Sequence, residues 1–173
     1  MTRRLVAGLM LVAGLVPALN AQESPLAAPP KELDQIKWMV GQWSGTMSST
    51  MGDIKTVMDI QPAMGGHYYQ FNSKNTLGDM TVDEVVYLTY DPKMSKFRIW
   101  AFASWGGPAR TEAGDYKDDK LVTVSDPWEV MGMTMVSRST LAKAEGDKME
   151  FILEFKEGDN WKKDGGGLLT RTR

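Results

Sequence analysis

From Trp43 to Thr172 the chain is cut into about ten short runs of alternating apolar and polar residues, each closed by turn residues. Alternation at period two sends successive side chains to opposite faces of a strand. The clearest run is M-E-F-I-L-E-F-K, residues 149–156. Met149, Phe151, Leu153 and Phe155 share one face, and Glu150, Glu154 and Lys156 take the other, so one side meets a core and the other meets water. Turn signals punctuate the series at Met51-Gly52-Asp53, Gly65-Gly66, Gly78-Asp79, Asp91-Pro92, Gly106-Gly107-Pro108, Asp118-Asp119, Asp126-Pro127 and Glu145-Gly146-Asp147. Strands this short at near-regular spacing predict an all-β chain, an antiparallel barrel or a sandwich. The stretch Glu129–Ala142 reads as a single long run. Ahead of the strands, K-E-L-D-Q-I-K-W-M predicts a short helix or helical turn over 31–39, stopped by Gly41.

The first residues stand apart from the fold. Arg3-Arg4 precede the apolar stretch 5–16, Pro17 breaks it, and small residues end at Ala21. This is the layout of a secretory signal peptide over 1–21, too short in its apolar run to span a bilayer. Residues 22–30, Q-E-S-P-L-A-A-P-P, predict a flexible leader, and 31–173 a single domain. Export to the periplasm or beyond is therefore expected, with no stable membrane insertion after cleavage. Zero cysteines exclude disulfides, so the core alone must supply stability. A net charge of −2 with no basic stripe argues against a nucleic-acid partner.

Candidate chemistry is sparse. His67 is the sole histidine, and the period-two rule puts it on one inward face with Tyr69 and Phe71. A hydrogen-bonded wall residue is the plainer role for it, acid or base the rival. Asp83 and Glu84 are adjacent in a strand, point to opposite faces and cannot work as a pair. No serine sits in a G-x-S-x-G or S-x-x-K motif. The methionines are the unusual feature: 13 in all, with Met131, Met133 and Met135 at every second residue. Soft thioethers suit Cu(I), yet along one strand they stand roughly 6.5–7 Å apart, too far to meet one ion easily. Three readings compete: the soft lining of a pocket, ordinary core, and a copper site. In R-I-W-A-F-A-S-W, Ile99 joins Ala101 and Ala103 on one face, and Trp105 falls in a loop at the end of the strand.

The block W-M-V-G-Q-W-S-G, with Gly41, Trp43 and Gly45 spaced G-x-W-x-G after a short helix, resembles the opening of lipocalin-like (calycin) barrels. Further landmarks are Gly65-Gly66 before His67-Tyr68-Tyr69, Tyr90-Asp91 ahead of a strand with Trp100, and the closing Leu169-Thr170-Arg171. Over about residues 33–172 the chain resembles the bacterial domain-of-unknown-function 1579 family and, more distantly, nitrobindin-type proteins. The resemblance implies an antiparallel up-and-down lipocalin-like barrel of about ten strands with a short N-terminal helix. It also implies that Trp43 plugs one end, with Arg138 or Arg171 packed over it and Gly41 and Gly45 in structural roles. Nitrobindin-like relatives hold haem through a late-strand histidine. His67 lies early, so no cofactor is expected by that route.

The expected function is non-catalytic binding of a small apolar or amphipathic molecule inside the barrel. The expected ligand contacts are His67, Tyr69, Phe71, Ile99, Trp105, Met131, Met133 and Met135. A Met-based periplasmic copper protein, or a barrel enzyme using His67, is the alternative.

Overall fold

A computed structural model of the chain describes residues 28–130 and 132–173. The signal-peptide and most of the leader expectations, and Met131, lie outside the described residues.

The domain opens with a 3-10 helix, Lys31–Met39, entered from Pro30 and left at Val40. Leu33, Ile36 and Met39 recur at intervals of three and are all buried. That interval matches the three residues per turn of a 3-10 helix, so the apolar side chains eclipse along one edge. Packing of that edge into the barrel offsets the poorer hydrogen bonding that keeps most such helices shorter.

Twelve strands follow: β1 (Gly41–Ser49), β2 (Gly52–Ala63), β3 (Tyr68–Leu77), β4 (Met80–Asp91), β5 (Lys96–Ala103), β6 (Arg110–Lys117), β7 (Lys120–Ser125), β8 (Trp128–Val130), β9 (Met133–Met135), β10 (Ser137–Ala144), β11 (Lys148–Glu157) and β12 (Asn160–Arg171). Ten of them close an antiparallel barrel in the order β1-β12-β11-β10-β7-β6-β5-β4-β3-β2. Each strand pairs with its sequence neighbour, except that β7 pairs with β10 and β1 closes the barrel against β12. Closure leaves no unpaired barrel edge. The expected all-β barrel of about ten strands with a short N-terminal helical segment is what the chain forms.

The expected single run Glu129–Ala142 is corrected. It breaks into β8, β9 and β10, with β8 and β9 paired as a separate hairpin outside the barrel ladder. Gly132 takes a φ of 77° at the break, a left-handed conformation that glycine adopts without strain. The two-residue spacing of Met133 and Met135 therefore belongs to a hairpin and not to a barrel wall.

The interior changes character along the barrel axis. At the end plugged by the 3-10 helix, Trp43, Ile60, Tyr69, Leu88, Phe97, Leu121, Met149 and Leu169 pack with Leu33, Ile36 and Met39. Two to four residues further along the same inward rows, polar groups take over. Phe71 gives way to Ser73, Leu121 to Thr123 and Ser125, Leu141 to Ser139 and Ser137, and Ile60 leads back to Thr56, all of them buried. On β4 the row runs from Leu88 through Val86 to Glu84, and on β6 from Tyr116 through Gly114 to Glu112 and Arg110.

Candidate functional site

The polar rows converge at the end opposite the 3-10 helix, called here the open end. Glu112 is almost wholly buried, with 1% of its side chain exposed. Thr123 donates a short hydrogen bond to its Oε2 across the β6–β7 ladder. Arg110, two residues along the same inward row, brings Nε to 2.9 Å from Glu112 Oε1. Its Nη2 lies 3.6 Å from Glu84 Oε1. One guanidinium thus stands between two carboxylates inside a β-barrel. The Nε contact is an ion pair by distance only, for its N–H is not aligned on any acceptor.

Burial holds the Glu84 carboxyl above the ordinary carboxylate range, and the nearby Glu112 adds to that; Arg110 and a Ser73 hydrogen bond act the other way. Removing a carboxylate from water disfavours its charged form, and one imperfectly placed arginine does not undo that cost.

The β8–β9 hairpin and the loop 104–109 border this end. Trp128 lies over Arg110, with the guanidinium carbon 5.3 Å from the ring centroid. Its indole Nε1, like Arg110 Nε, is buried without a hydrogen-bond acceptor, and so is the hydroxyl of the fully buried Ser137. A recess of about 20 Å³ opens among Glu84, Ala101, Ala103, Arg110, Trp105 and Trp128. That is room for about one oxygen-sized group, far below the roughly 300–1,000 Å³ of a pocket that swallows a drug-sized molecule.

A second cleft, about 290 Å³, lies at the opposite end and outside the barrel, between Trp38, Trp43, Arg171 and the β10–β11 turn. Arg171 stacks on Trp43, its guanidinium carbon 4.2 Å from the ring centroid. It donates to the Trp38 carbonyl at 2.7 Å, to the Val40 carbonyl at 2.5 Å and to Asp147 Oδ1 at 2.8 Å. Trp43 Nε1 in turn donates to the Met39 carbonyl at 2.7 Å. Arg171 is therefore the arginine over Trp43. Arg138 instead forks onto Glu154 at 2.6 and 2.7 Å and lies 4.7 Å from the Trp161 ring centroid. Gly41 has a φ of 136°, and a Cβ there would meet Arg171 Nη1 at 2.4 Å. A Cβ on Gly45 would sit 2.4 Å from the Leu168 carbonyl oxygen. Both glycines let neighbouring groups approach where any larger residue collides.

The structure does not gather the expected ligand contacts into one place. Tyr69, Phe71 and Ile99 are buried in the barrel, Tyr69 donating to the Leu33 carbonyl at 3.4 Å. His67 falls outside β3, in helical backbone at the end of the turn Met64–Gly66, so strand parity does not govern its side chain. Its carbonyl accepts from Thr89 Oγ1 at 2.6 Å. Met133 and Met135 sit on the hairpin, Met133 largely exposed, and Trp105 lies exposed in the 104–109 loop. Among the described members of the set, Trp105 alone borders the recess. Among the described residues, no group of three or more His, Asp or Glu side chains is placed to hold a metal ion.

Sequence reading missed Glu84, Arg110, Glu112 and Trp128. The signal was present in the parity of the strands. Asp83 and Glu84 do point to opposite faces, as expected: Asp83 outward to Lys74 at 3.4 Å, Glu84 inward. The partner that gives Glu84 a role lies two strands away, where Arg110 and Glu112 share the inward parity of Tyr116.

No protein-family model matches the sequence, and no curated protein matches it. The class rests on the coordinates: a closed ten-strand antiparallel β-barrel, consistent with a lipocalin-like fold.

Proposed function

We propose that the chain is an exported, non-catalytic, lipocalin-like binding protein of the domain-of-unknown-function 1579 type, taking a small amphipathic molecule at the open end of its barrel. Export rests on the n-region, apolar stretch and small-residue end of 1–21, and the family on the G-x-W-x-G opening with its later landmarks. Binding rests on one observation: a half-buried arginine, flanked by two carboxylates, whose buried Nε–H has no aligned acceptor and whose aromatic cover, Trp128, also leaves its N–H unpaired. Buried polar groups are nearly always satisfied, so orphaned donors beside an opening favour a group from outside.

The apolar half supports the fold, its side chains packed tightly against the 3-10 helix. A purely apolar guest would leave the orphaned donors as they are, which is why the amphipathic reading is preferred. Native mass spectrometry of the protein isolated from its own compartment tests the proposal. A small-molecule adduct is expected on the wild type and its loss on Ala103→Leu, which fills the recess. A chain that always flies without an adduct, or an adduct indifferent to Ala103→Leu, overturns it.

A further inference from the structure

Resting on that reading, we infer that the recess receives an uncharged oxygen acceptor, a carbonyl or ether oxygen carried on a small apolar body. The atoms around the recess decide the chemistry. Guanidinium and indole N–H groups donate and never accept. Arg110 and Trp128 both line the recess, and the buried Nε of the one and Nε1 of the other have no aligned acceptor. Glu84 Oε1 stands 3.6 Å from Arg110 Nη2, beyond hydrogen-bonding reach. What fits must therefore bring a lone pair.

Charge then narrows the class from both sides. Glu84 and Glu129 line the recess, and Glu112 stands directly behind Arg110. A carboxylate or phosphate head would face three acidic side chains with one arginine to offset them. An ammonium head would add donors where donors already lack acceptors, and would be pressed against the Arg110 guanidinium. A neutral oxygen meets neither objection. The volume agrees, since about 20 Å³ admits an oxygen but not a ring. The body of the molecule would lie outward, against Ala103, Trp105 and Pro108, where apolar atoms border the opening.

Ligand-observed saturation-transfer NMR on the protein at neutral pH separates the possibilities. Acetophenone, benzoate, benzylammonium and toluene share one ring and differ in head group. Acetophenone is expected to bind saturably and at least tenfold more tightly than the other three. Trp128→Phe, which keeps the aromatic cover and deletes the N–H, should bring acetophenone to within about threefold of toluene. Arg110→Met should do the same, and because Trp128 sits on the hairpin outside the barrel ladder, W128F carries the test if R110M fails to fold. Benzoate, benzylammonium or toluene binding as well as acetophenone overturns the acceptor inference but leaves open-end binding standing. Toluene matching acetophenone is also the result if a resident water already serves as the acceptor. Acetophenone binding that both variants leave unchanged places the site elsewhere and overturns the inference. Failure of every probe to saturate overturns the inference and the proposed function together.

Discussion

Arg171→Ala is expected to be strongly destabilising although Arg171 lies at the rim of the plugged end. Arg171 ties together the exit of the 3-10 helix, the ring of Trp43 and the β10–β11 turn, which are far apart in sequence. Its two hydrogen bonds to the Trp38 and Val40 carbonyls are partly buried and contribute about 1 kcal/mol each. The stacked guanidinium contributes about 1 kcal/mol more. The Asp147 carboxylate is about two-thirds exposed, so its ion pair adds at most about 0.5 kcal/mol. Replacement by alanine should cost about 3 kcal/mol, or a Tm lowered by roughly 6–12 °C in a domain of this size. Arg171→Lys keeps the charge but not the planar fork, and should recover less than half of the loss. Urea unfolding followed by near-ultraviolet circular dichroism measures both, through the summed signal of the six tryptophans, Trp43 among them. An Arg171→Ala loss below about 1 kcal/mol would refute the reasoning, showing that solvent replaces the guanidinium at those carbonyls.

Glu84→Gln should stabilise the protein at pH 8 and leave stability nearly unchanged at pH 4.5. A carboxyl whose folded pKa is raised above its ordinary value contributes stability below that value and loses it as pH rises through the folded pKa, so the neutral amide gains only at the alkaline side; equal effects at both pH values would count against a burial-raised Glu84. Glu154 is opposite in sign: the Arg138 hydrogen bonds lower its pKa, so its contribution is present at neutral pH and fades as pH falls through the lowered value, and Glu154→Gln should destabilise at pH 7 but not in acid. Gly45→Ala should cost about 1–3 kcal/mol in chemical denaturation, because its Cβ meets the Leu168 carbonyl and not a flexible side chain. Met133→Leu with Met135→Leu should change stability by less than about 0.5 kcal/mol, and titration with Cu(I) under reducing conditions should show no saturable binding that the pair of replacements removes.

The barrel was legible because strand parity is a local property. Each run shows its buried face without knowledge of its neighbours, and turn residues mark where one ends. The N-terminal helical turn was legible in the apolar spacing of 31–39, but the arginine over Trp43 was not, because Arg138 and Arg171 suit that part equally until the β1–β12 register sets Arg171 opposite Trp43. The 129–142 segment was misread because β9 and β10 both alternate at period two; Val136 alone separates hairpin from barrel wall, and the left-handed Gly132 turns the chain within the hairpin. His67 was misplaced for a related reason. The turn Met64–Gly66 ends in helical backbone at His67, and parity counted back from Phe71 does not cross it. The Glu84–Arg110–Glu112 group was illegible one strand at a time. It forms because the β4–β5–β6 meander places β4 and β6 on either side of the small inward residues Ala101 and Ala103 of β5. A long arginine side chain reaches across that low wall.

The central claim is that the molecule binds at the open end, and the indole N–H resonances of the six tryptophans test it most directly. Trp105 and Trp128 border the open end, whereas Trp38 and Trp43 border the cleft beside Arg171. In a titration with acetophenone, the account predicts saturable shifts of the Trp105 and Trp128 signals, that of Trp128 moving downfield as its N–H gains an acceptor, with Trp38 and Trp43 unmoved. Shifts confined to Trp38 and Trp43, or none at all, would contradict it.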